Sequence, residues 1–546
     1  MGQGARVDDA VEAPPARSGS HRKKEFLEWP TTGGTPPRNT EKGALDLIVV
    51  TQREHSTNEE ATMAIRDGKE YRRGLQDGRS VWFRGTEVTD VASHPAFRRR
   101  VDAIAALFDA KGCSPDAVYA RGTDIASEYR ASFAIPRDRA ALAQRRRWSE
   151  WIAESTFGLM GRSPDYLQTA IMSFAAAGDY FAVNNKCFTE HIRRLHQFAA
   201  ERDLFLARAT VGPSTNRGKP YSQHQDHYVN LGVVRETDGG IVLRGSKMIS
   251  TNAAIADELL VFPISGFQEG DEDYALAFMT PIATPGLKIV CRDAFDDGTS
   301  DVADFPIATR FEESDSLCVF ADVFVPWERV FLYRDVALAN GMYGATCSRN
   351  FTGYQTLIRS AVKAEFYTAI AIACAELNGS SKYLHVQEML GELLSYVDVI
   401  RGLLALAEES SYVNQWGVYC PSARPATSAR VLFHKYSARM VDVIQTVAAG
   451  TLFALPTSRD LDSGIGPLVE KAFQTECEGW SPRARIRLLR VAWELVSGAF
   501  GQRQTLYEKY HAGDPVRIAA AHFVHSDRTQ GYERVKRALG TDEVGA

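Results

Sequence analysis

The amino-acid sequence predicts an α+β fold in which helices and strands occupy separate stretches of the chain. Apolar residues recur at three- and four-residue intervals before residue 210 and again after residue 336, which is typical of amphipathic helices. Between them, residues 211–335 form short runs rich in β-branched and aromatic residues, broken by turn residues. Because strands do not alternate with helices, a doubly wound parallel sheet is not expected.

The first 60 residues are rich in proline, glycine, serine and charge, as in APPARSGSHRKK and WPTTGGTPPRN. This composition predicts a disordered leader over residues 1–60, because it offers too little apolar surface to form a core. The basic cluster His21–Lys24 is interpreted as part of that solvated tail. A helical N-terminal domain is predicted over residues 61–210, with helices in FRRRVDAIAALFDA and RDRAALAQRRRWSEWIAESTFGLM.

A β domain is predicted over residues 211–335 and a helical bundle over residues 336–546. The β segments are HYVNLGVV, GIVLRG, DELLVFPI, YALAFMTPI, GLKIVC and SLCVFADVFV. In the C-terminal part, one long helix carries an apolar stripe, and IRLLRVAWELVSGAFGQRQTLYEKYH predicts another. The stripe consists of Val386, Met389, Leu390, Leu393, Val397, Ile400 and Leu404.

Composition excludes several classes of function. The 546-residue chain has a net charge of −5, so there is no electrostatic reason to expect nucleic acid or an anionic membrane as a partner. Its eight cysteines include no CxxC pair, which argues against zinc, iron–sulfur and disulfide frameworks and suits a cytoplasmic location. The sequence contains no run of about 18 apolar residues, so no membrane span is predicted. GxGxxG and GxxxxGK[ST] motifs are both absent, so the usual nicotinamide and nucleotide cradles are not expected.

The stretch TFGLMGRSPDYLQ carries a helix-start signature beside a cation and a phenol. Ser163 is predicted to cap a helix whose first position is Pro164, and Asp165 then suits the positive end of the helix dipole. This places Arg162 just outside the helix and Tyr166 one turn in, so their side chains are expected to converge. From the residues alone, Arg162 as a cap for neighbouring carbonyls and Tyr166 as a core residue remain an alternative.

Five segments together resemble the flavin-dependent 4-hydroxyphenylacetate 3-hydroxylase family, in its oxygenase component. They occur in the family's order and cover roughly residues 65–530. These segments are EYRRGLQDGRSVWFRGTEVTDVASHPAFRRR (70–100), FGLMGRSPDY (157–166), VFVPWERVFLYRD (323–335), HVQEMLGEL (385–393) and AFGQRQTLYEKYHAGDPVR (499–517). The resemblance implies an acyl-CoA dehydrogenase-like fold: an N-terminal helical domain, a middle β-barrel-like domain and a C-terminal helical bundle.

The resemblance also implies a reaction. The protein would take FAD as FADH2 from a separate NAD(P)H-dependent flavin reductase. It would then use O2, through a flavin C4a-hydroperoxide, to hydroxylate a phenolic or related aromatic substrate. The missing nicotinamide cradle is consistent with this, because the oxygenase need not bind NAD(P)H. The family further implies a homotetramer formed through the C-terminal helices.

Candidate site residues follow from the same resemblance. Arg162 and Tyr166 would meet the oxygen on the substrate ring, and Thr251 would bond near flavin N5. Ser265 lies in a loop, 263–273, that would fold over the bound substrate. The residues implied to hold FAD are Ser214, Thr215, Asn216, Arg217, Ser222, Gln223 and the turn Gly513, Asp514 and Pro515, the turn being supplied to a neighbouring subunit. No metal site is expected.

Two departures from the family pattern bear on the substrate. Arg208 stands where hydroxylases of 4-hydroxyphenylacetate have a histidine, and an arginine stays protonated and cannot act as a base. Phe351 and Tyr354 stand where chlorophenol-hydroxylating relatives have histidine. Arg162 and Arg208 are therefore predicted to bind a more acidic or anionic substrate, either free or tethered to a carrier.

Three other functions remain open. The enzyme could oxygenate nitrogen or a non-phenolic carbon. It could belong to the CoA-thioester dehydratase branch of the same fold, although the matching helix offers only Cys187 toward an iron–sulfur cluster. It could also be a non-catalytic homologue.

Overall fold

The computed structural model describes residues 65–109, 118–119, 128–213, 215–216, 218–264 and 266–540. The leader predicted over residues 1–60 lies outside these described residues. Within them the chain is α+β, as predicted, with two main sheets and two helical regions.

The N-terminal region is mainly helical up to residue 201. Helix ends follow local capping: Asp67 closes a capping box on the first helix, and Asp138 accepts a bond from the Ala141 backbone N–H on the third. The elements are α1 (Gly68–Gly74), β1 (Ser80–Phe83), β2 (Thr86–Val88), α2 (Pro95–Phe108), β3 (Val118–Tyr119), β4 (Tyr129–Arg130), α3 (Arg139–Ser155), α4 (Pro164–Ala176) and α5 (Phe188–Glu201).

Most strands follow residue 205. The elements of this part are β5 (Leu206–Ala209), β6 (Gly232–Thr237), β7 (Gly240–Lys247), β8 (Glu258–Val261), β9 (Leu276–Pro281), β10 (Leu287–Cys291), α6 (Ala308–Phe311), β11 (Ser316–Pro326) and β12 (Val330–Tyr333). The first sheet has the strand order β2-β1-β10-β11-β7-β6 and the second has the order β12-β9-β8-β5. Among the strands in the described ranges, only the β1–β10 and β5–β8 pairs are parallel, so antiparallel pairing dominates there.

Five short strands, β1 to β5, come from residues that the sequence pattern placed in a helical stretch. β1 and β2 form a hairpin around Arg84 and Gly85, both with positive φ, and β1 extends the first sheet by pairing with β10. β5 likewise joins the second sheet beside β8. Such short strands are stabilised by partners far away in sequence, which local periodicity does not report.

The C-terminal region is a helical bundle around a long buried helix. Its elements are α7 (Val336–Ala345), α8 (Ser348–Leu377), α9 (Leu384–Glu409), β13 (Tyr412–Val413), β14 (Tyr419–Cys420), α10 (Ala423–Ala448), α11 (Ser458–Leu461), α12 (Gly466–Ala472), α13 (Pro482–Val496), α14 (Ala499–Tyr510), α15 (Pro515–Val524) and α16 (Thr529–Leu539). The predicted stripe on α9 is buried except for the half-buried Val397. α8 packs against α3, α4, α9 and α10, which brings the start of α4 close to the bundle.

None of the helices in the described ranges is long and apolar enough to cross a membrane.

Candidate active site

The predicted helix start at residue 164 is confirmed, but its capping differs from the prediction. Ser163 occupies the N-cap position and Pro164 the first position of α4. The Ser163 hydroxyl donates to Asp165 Oδ1 at 2.6 Å and does not cap the helix backbone. A carboxylate two residues away accepts a hydroxyl proton more strongly than the helix N–H groups can bind the hydroxyl oxygen. Burial raises the pKa of Asp165, which also accepts a bond from Gln355.

Arg162 and Tyr166 converge as predicted. The Arg162 guanidinium carbon lies 4.3 Å from the centre of the Tyr166 ring, which is cation–π distance. Its Nη1 donates to the Gly161 carbonyl at 2.9 Å and to the Tyr507 hydroxyl, and its Nη2 donates to the His511 carbonyl at 3.3 Å. The guanidinium therefore caps carbonyls and covers the phenol at the same time.

Arg208, near the end of β5, contacts the same phenol from another side. Its Nη1 donates to the Tyr166 hydroxyl at 3.3 Å, and its Nη2 donates to the His511 carbonyl at 3.4 Å. Among the described residues, no carboxylate lies within ion-pair distance of the Arg162 or Arg208 guanidinium. We call Arg162, Tyr166 and Arg208 the phenol cluster.

The electrostatics of the phenol cluster favour a phenolate. Burial alone raises the pKa of Tyr166, but the positive charges of Arg208, Arg162 and Arg430 outweigh burial and lower that pKa to about 7. Burial and the proximity of the other guanidinium lower the pKa of Arg208, although an arginine remains charged. The site therefore holds excess positive charge that an anionic ring oxygen would neutralise.

We expect Tyr166 to titrate near neutral pH in the folded protein. Guanidiniums stabilise the phenolate, so tyrosinate absorbance should rise as the pH increases through about 7, well below the value of about 10 for exposed tyrosine. A pH titration followed by ultraviolet difference absorbance measures this, and Tyr166→Phe should abolish the step. Tyr354→Phe is the control, because burial and Glu408 raise the pKa of Tyr354. A neutral-pH step that persists in Tyr166→Phe would contradict the assignment.

A buried ionic network lies next to the phenol cluster. Glu508 on α14 accepts two bonds from Arg359 at 2.8 and 2.9 Å and one from Lys363 at 2.8 Å. Arg359 also donates to the Gly158 carbonyl, and Lys363 to Gln504. These contacts fix α14, and with it Tyr507, against α8 and the loop that carries Arg162.

Gly161 is required because α14 approaches it closely. A Cβ at Gly161 would lie 2.1 Å from the Tyr507 ring. Gly161→Ala should therefore displace Tyr507 and destabilise the protein by about 1–3 kcal/mol, the usual cost of overpacking. Gly391→Ala on the exposed face of α9 meets no atom within 4 Å and should instead stabilise by about 0.5–1 kcal/mol. Denaturant unfolding of both variants tests this, and equal effects would contradict it.

Thr251 is connected to the cluster through charged side chains. Its hydroxyl donates to Asp315 at 2.8 Å, and Arg503 bonds Asp315 at 2.6 and 2.8 Å. Arg503 also pairs with Glu313 at 3.1 Å, and Glu313 accepts the Arg162 backbone N–H at 2.6 Å. Although burial would raise the pKa of Asp315, Arg503 and Arg292 lower it far below its usual range, so Asp315 is anionic.

The polar loop before β6 is partly organised by its own side chains. Thr215 bonds His224 Nδ1 at 2.7 Å, and Asn216 accepts the Gly218 backbone N–H at 2.9 Å. The Ser222 backbone N–H is satisfied by Asp271 at 2.8 Å, and Gln223 ends the adjacent 3₁₀ turn. Ser214, Arg217 and Ser265, also predicted as site residues, lie outside the described residues.

The turn before α15 needs a glycine because of its backbone conformation. Gly513 has φ +111°, a region that favours glycine, and Asp514 caps α15 by accepting the Arg517 backbone N–H at 3.0 Å. Pro515 occupies the first helical position. The role of this turn toward FAD stays a prediction.

Phe351 and Tyr354 are engaged elsewhere. Phe351 is buried with Arg145 5.5 Å above its ring, and the Tyr354 hydroxyl donates to Glu408 at 2.5 Å. Within the described residues, no hydrogen bond or ring contact joins either side chain to the phenol cluster. Their role toward the substrate stays a prediction.

The sequence did not single out four side chains that complete the site. Tyr507 and His511 stack at 4.7 Å and lie against Arg162, while Arg430 lowers the pKa of Tyr166 by its charge and Tyr343 lowers it by a side-chain hydrogen bond. Tyr507 and His511 belong to a segment noted for its resemblance, so their spacing of one helical turn on α14 was an available signal. Arg430 and Tyr343 have no such signal.

Two family models match nearly the whole described chain. Residues 67–332 match "4-hydroxyphenylacetate 3-hydroxylase N terminal", and residues 339–540 match "4-hydroxyphenylacetate 3-hydroxylase C terminal". The chain belongs to the 4-hydroxyphenylacetate 3-hydroxylase family. The expected resemblance is thereby confirmed.

Individual relatives of the 4-hydroxyphenylacetate 3-hydroxylase family agree. The 4-hydroxyphenylacetate 3-monooxygenase oxygenase component of Thermus thermophilus is 35% identical over 475 residues, covering 87% of this chain and 97% of the relative. A crystal structure of the oxygenase component (HpaB) of 4-hydroxyphenylacetate 3-monooxygenase, complexed with FAD and 4-hydroxyphenylacetate, superposes with a TM-score of 0.82. It is 35% identical, and the match covers 87% of this chain and 98% of that chain.

The fold extends beyond the 4-hydroxyphenylacetate 3-hydroxylase family. A 4-hydroxybutyryl-CoA dehydratase from N. maritimus has a TM-score of 0.77 at 19% identity, with 88% of this chain and 97% of that chain covered. At this identity the likeness shows the fold alone. The predicted α+β fold is confirmed, since solved structures of the 4-hydroxyphenylacetate 3-hydroxylase family share it. Among the described residues, no group of three or more histidine, cysteine, aspartate or glutamate side chains is arranged to hold a metal ion.

Proposed function

We propose that this chain is the oxygenase component of a two-component, FADH2-dependent monooxygenase that hydroxylates a phenolic or related aromatic substrate with O2. Family membership across residues 67–332 and 339–540 supports this proposal. Reduced FAD, when bound, supplies the activation of O2, which no amino-acid side chain provides.

The phenol cluster is the observation that carries the proposal. Two guanidiniums, unpaired with any described carboxylate, contact one buried phenol, Arg162 over the ring face of Tyr166 and Arg208 at its hydroxyl. A substrate phenol placed there would meet the same cations that lower the pKa of Tyr166. Preorganised charges of this kind stabilise a developing phenolate and make the ring more nucleophilic.

The residues around Thr251 fit a flavin. The side-chain amide nitrogen of Asn252, next to Thr251, is buried and has no hydrogen-bond partner among the described residues, so it is available to the polar edge of a heteroaromatic ring. Lys247 is buried without a carboxylate at ion-pair distance in the described chain, and burial lowers its pKa to about 8. A buried ammonium of this kind suits a ligand that carries phosphate.

The chain's own residues would then divide the work. Arg162 and Arg208 would bind the ring oxygen and Tyr166 would share its proton, while Thr251 would orient the flavin's reactive edge. Thr215, Asn216, Ser222 and Gln223, with Ser214 and Arg217, would hold the rest of FAD. Gly513, Asp514 and Pro515 would reach the flavin of a neighbouring subunit. The closely packed side chains would exclude water, which protects the productive oxygen chemistry.

The loop over residues 263–273 would close the substrate site. The Asn340 side chain on α7 bonds the backbone of this loop. It accepts hydrogen bonds from the N–H groups of Gly266 and Phe267 at 2.8 and 3.0 Å and donates one to the Phe267 carbonyl at 2.9 Å. These bonds would hold the loop closed over the substrate, to which Ser265 is proposed to bind.

The arginine at position 208 favours a more acidic or anionic substrate. We expect Arg208→Met to weaken binding of acidic phenols by about 10- to 150-fold, since a hydrogen bond to a charged group is worth about 1.5–3 kcal/mol. Arg208→His should shift the preference toward less acidic phenols such as 4-hydroxyphenylacetate. Equilibrium binding to the anaerobic reduced complex measures both effects. Unchanged affinity and coupling in both variants would show that Arg208 is structural.

The remaining parts of the assignment are proposed with it. A separate NAD(P)H-dependent reductase would supply the reduced flavin, and the C-terminal helices would form a homotetramer in the cytoplasm. The substrate would be a small aromatic compound, free or carried on a larger molecule. Residues 61–210, 211–335 and 336–546 would form three domains.

Mixing the anaerobic protein–FADH2 complex with oxygenated buffer tests the proposal. The experiment uses a panel of phenols and aromatic acids, and it compares hydroxylated product with hydrogen peroxide for each mole of reduced flavin consumed. We expect the protein to bind FADH2 more tightly than FAD and to form product from at least one phenol. Equal affinity for both flavin states and no product from any compound would overturn it.

A further inference from the structure

The hydroxyl proton of Thr251 is committed to a carboxylate. Thr251 Oγ1 donates to Asp315 Oδ1 at 2.8 Å, and a threonine hydroxyl carries only one proton. The Thr251 oxygen can therefore accept a further hydrogen bond, but it has no proton left to donate. The function proposed above places Thr251 at the reactive edge of the flavin and gives Asp315 no role.

Asp315 is held in an orientation that preserves this bond. Arg503 donates to both of its carboxylate oxygens, at 2.6 Å to Oδ2 and at 2.8 Å to Oδ1, and Arg292 donates to Oδ2 at 3.3 Å. Although burial would raise the pKa of Asp315, Arg503 and Arg292 keep that pKa far below its usual range. The carboxylate thus stays ionised and can only accept, so the protein sets the direction of the Thr251 O–H bond.

The backbone around Thr251 is fixed as well. The N–H groups of Ser250 and Asn252 donate to carbonyls in the segment 314–316 at 2.9 and 2.6 Å. Ile249 and Asn252 have φ of +61° and +62°, a left-handed conformation that is an outlier for a β-branched residue such as isoleucine. Strain of this kind persists only where surrounding contacts hold the backbone, and it is concentrated at functional sites. The loop therefore presents the Thr251 oxygen in one place.

The two redox states of a flavin differ in hydrogen bonding at N5, the atom near which Thr251 is proposed to lie. Reduced flavin carries a proton on N5 and donates there, whereas oxidised flavin has a lone pair on N5 and can only accept. An oxygen that can only accept bonds reduced N5. Opposite oxidised N5 it leaves two acceptors facing each other without a proton, which is costly in a buried site.

We propose that Asp315 is a positioning residue that makes Thr251 an obligate acceptor for the N5–H of reduced FAD, so that the site selects the reduced cofactor over the oxidised one. The carboxylate acts through Thr251, by taking the hydroxyl proton away from the flavin. The inference rests on the proposed function, because it explains how that site recognises FADH2.

A comparison of two oxidised flavins tests the direction of the hydrogen bond in the unaltered full-length protein. 5-Deaza-FAD has a C–H group in place of N5, so it lacks the lone pair that would face Thr251. We expect 5-deaza-FAD to bind about tenfold more tightly than FAD in calorimetric titrations, because the repulsion between two acceptors is removed. If FAD binds as tightly as 5-deaza-FAD or more tightly, Thr251 is not an obligate acceptor and the proposal is wrong.

Asp315→Asn tests the role of the carboxylate. Arg503 and Arg292 both donate to Oδ2, so the amide oxygen should take that place and turn the –NH2 group toward Thr251, which frees the hydroxyl proton. We expect the preference for FADH2 over FAD to fall about tenfold, which lowers the midpoint potential of bound FAD by about 30 mV. Anaerobic titrations against redox dyes measure this potential.

The sign of the change separates this role from a simple effect of charge. Removing a negative charge near a flavin favours its electron-rich state, so a purely electrostatic role of Asp315 would make Asp315→Asn raise the potential. A raised or unchanged potential would therefore overturn the proposal.

A Thr251→Val background shows whether Asp315 acts through Thr251. Asp315→Asn should leave the potential unchanged in that background, because no hydroxyl remains to be oriented, and a full effect there would contradict the proposal. Asp322→Asn is the matched control: Asp322 on β11 also accepts two bonds from one arginine, Arg244, but at an exposed site, so the preference for FADH2 should be retained. Thermal unfolding identifies a variant that fails to fold, and the comparison of FAD with 5-deaza-FAD then decides.

The two proposals fail differently. If the proposed function is wrong, the unaltered protein neither prefers FADH2 nor yields product from any phenol. If only the role of Asp315 is wrong, the unaltered protein prefers FADH2 and hydroxylates a phenol, while Asp315→Asn keeps or strengthens that preference.

Discussion

Replacing Arg162 by methionine is expected to lower hydroxylated product per reduced flavin by about 10²- to 10³-fold, the effect of removing one preorganised stabilising donor. Methionine keeps much of the apolar stem that packs between Tyr166 and Tyr507, so the loss is mainly one of charge. The yield of hydrogen peroxide should rise as the yield of product falls, because activated oxygen that is not transferred to a correctly placed ring is released as peroxide. Product and peroxide are measured after single-turnover mixing with O2.

The Arg162 variant should remain folded. Burial, and then the positive charge of Arg359, disfavour the charged guanidinium, and methionine removes both costs. The Glu313 bond is made to the Arg162 backbone N–H and survives the change. Arg193→Met is the control: the Arg193–Asp179 pair is exposed, and its loss should leave coupling unchanged. If Arg162→Met couples as well as the unaltered protein, Arg162 only caps carbonyls and the proposed substrate role is wrong.

The site is positively charged because the nearby carboxylates pair with other cations. Glu508 is shared by Arg359 and Lys363, while Glu313 and Asp315 are engaged by Arg503. Within the described residues, this leaves Arg162, Arg208 and Arg430 without an ion-pair partner. Buried cations in this arrangement are stabilised when an anion binds. An electron-rich phenolate is therefore the ligand that the charge pattern favours.

One connection joins the predicted flavin and substrate sites. Thr251 bonds Asp315, and Arg503 bridges Asp315 to Glu313, which holds the backbone of Arg162. A shift at either end of this chain of contacts would move the other, because each carboxylate bonds both neighbours. The geometry of Thr251 and Arg162 is thus set together.

Local sequence signals predicted the parts of the site that depend on neighbouring residues. The start of α4 at Pro164 and the approach of Arg162 to Tyr166 follow from capping and helical spacing. The same reasoning was wrong for the Ser163 side chain, because the competing Asp165 carboxylate accepts its hydroxyl hydrogen bond. Local reasoning ranks possible partners poorly when two are equally near.

Long-range partners could not be predicted from these signals. Tyr507 and His511 reach Arg162 from about 350 residues further along the chain, so only the packing of α14 against α8 brings them together. β1 was missed for the same reason, since its partner β10 lies some 200 residues away. The hydrogen bond from the Tyr354 hydroxyl to Glu408 on α9 is another contact that is visible only after folding, and the substrate role of Tyr354 stays a prediction.

Replacing Glu508 by glutamine is expected to destabilise the protein by about 3–5 kcal/mol, the cost of breaking a buried ion pair by removing one partner. Glu508 is almost fully buried, and although burial would raise its pKa, Arg359 and Lys363 lower it far below its usual range. Lys363 can lose its proton when unpaired, because burial already lowers its pKa to about 8. Arg359 cannot, so its charge stays buried and uncompensated.

Urea unfolding measures this loss, and Glu365→Gln is the matched control. Glu365 pairs with Arg401 at a half-exposed surface, where Glu150 remains as a second partner, so its removal should cost no more than about 1 kcal/mol. The Glu508 carboxylate contributes stability at neutral pH that is lost as the pH falls through its depressed pKa, so the difference between the two variants should narrow in acid. A Glu508 variant as stable as the Glu365 variant at neutral pH would mean that the network does not hold α14, and Tyr507 would then need another support beside Arg162.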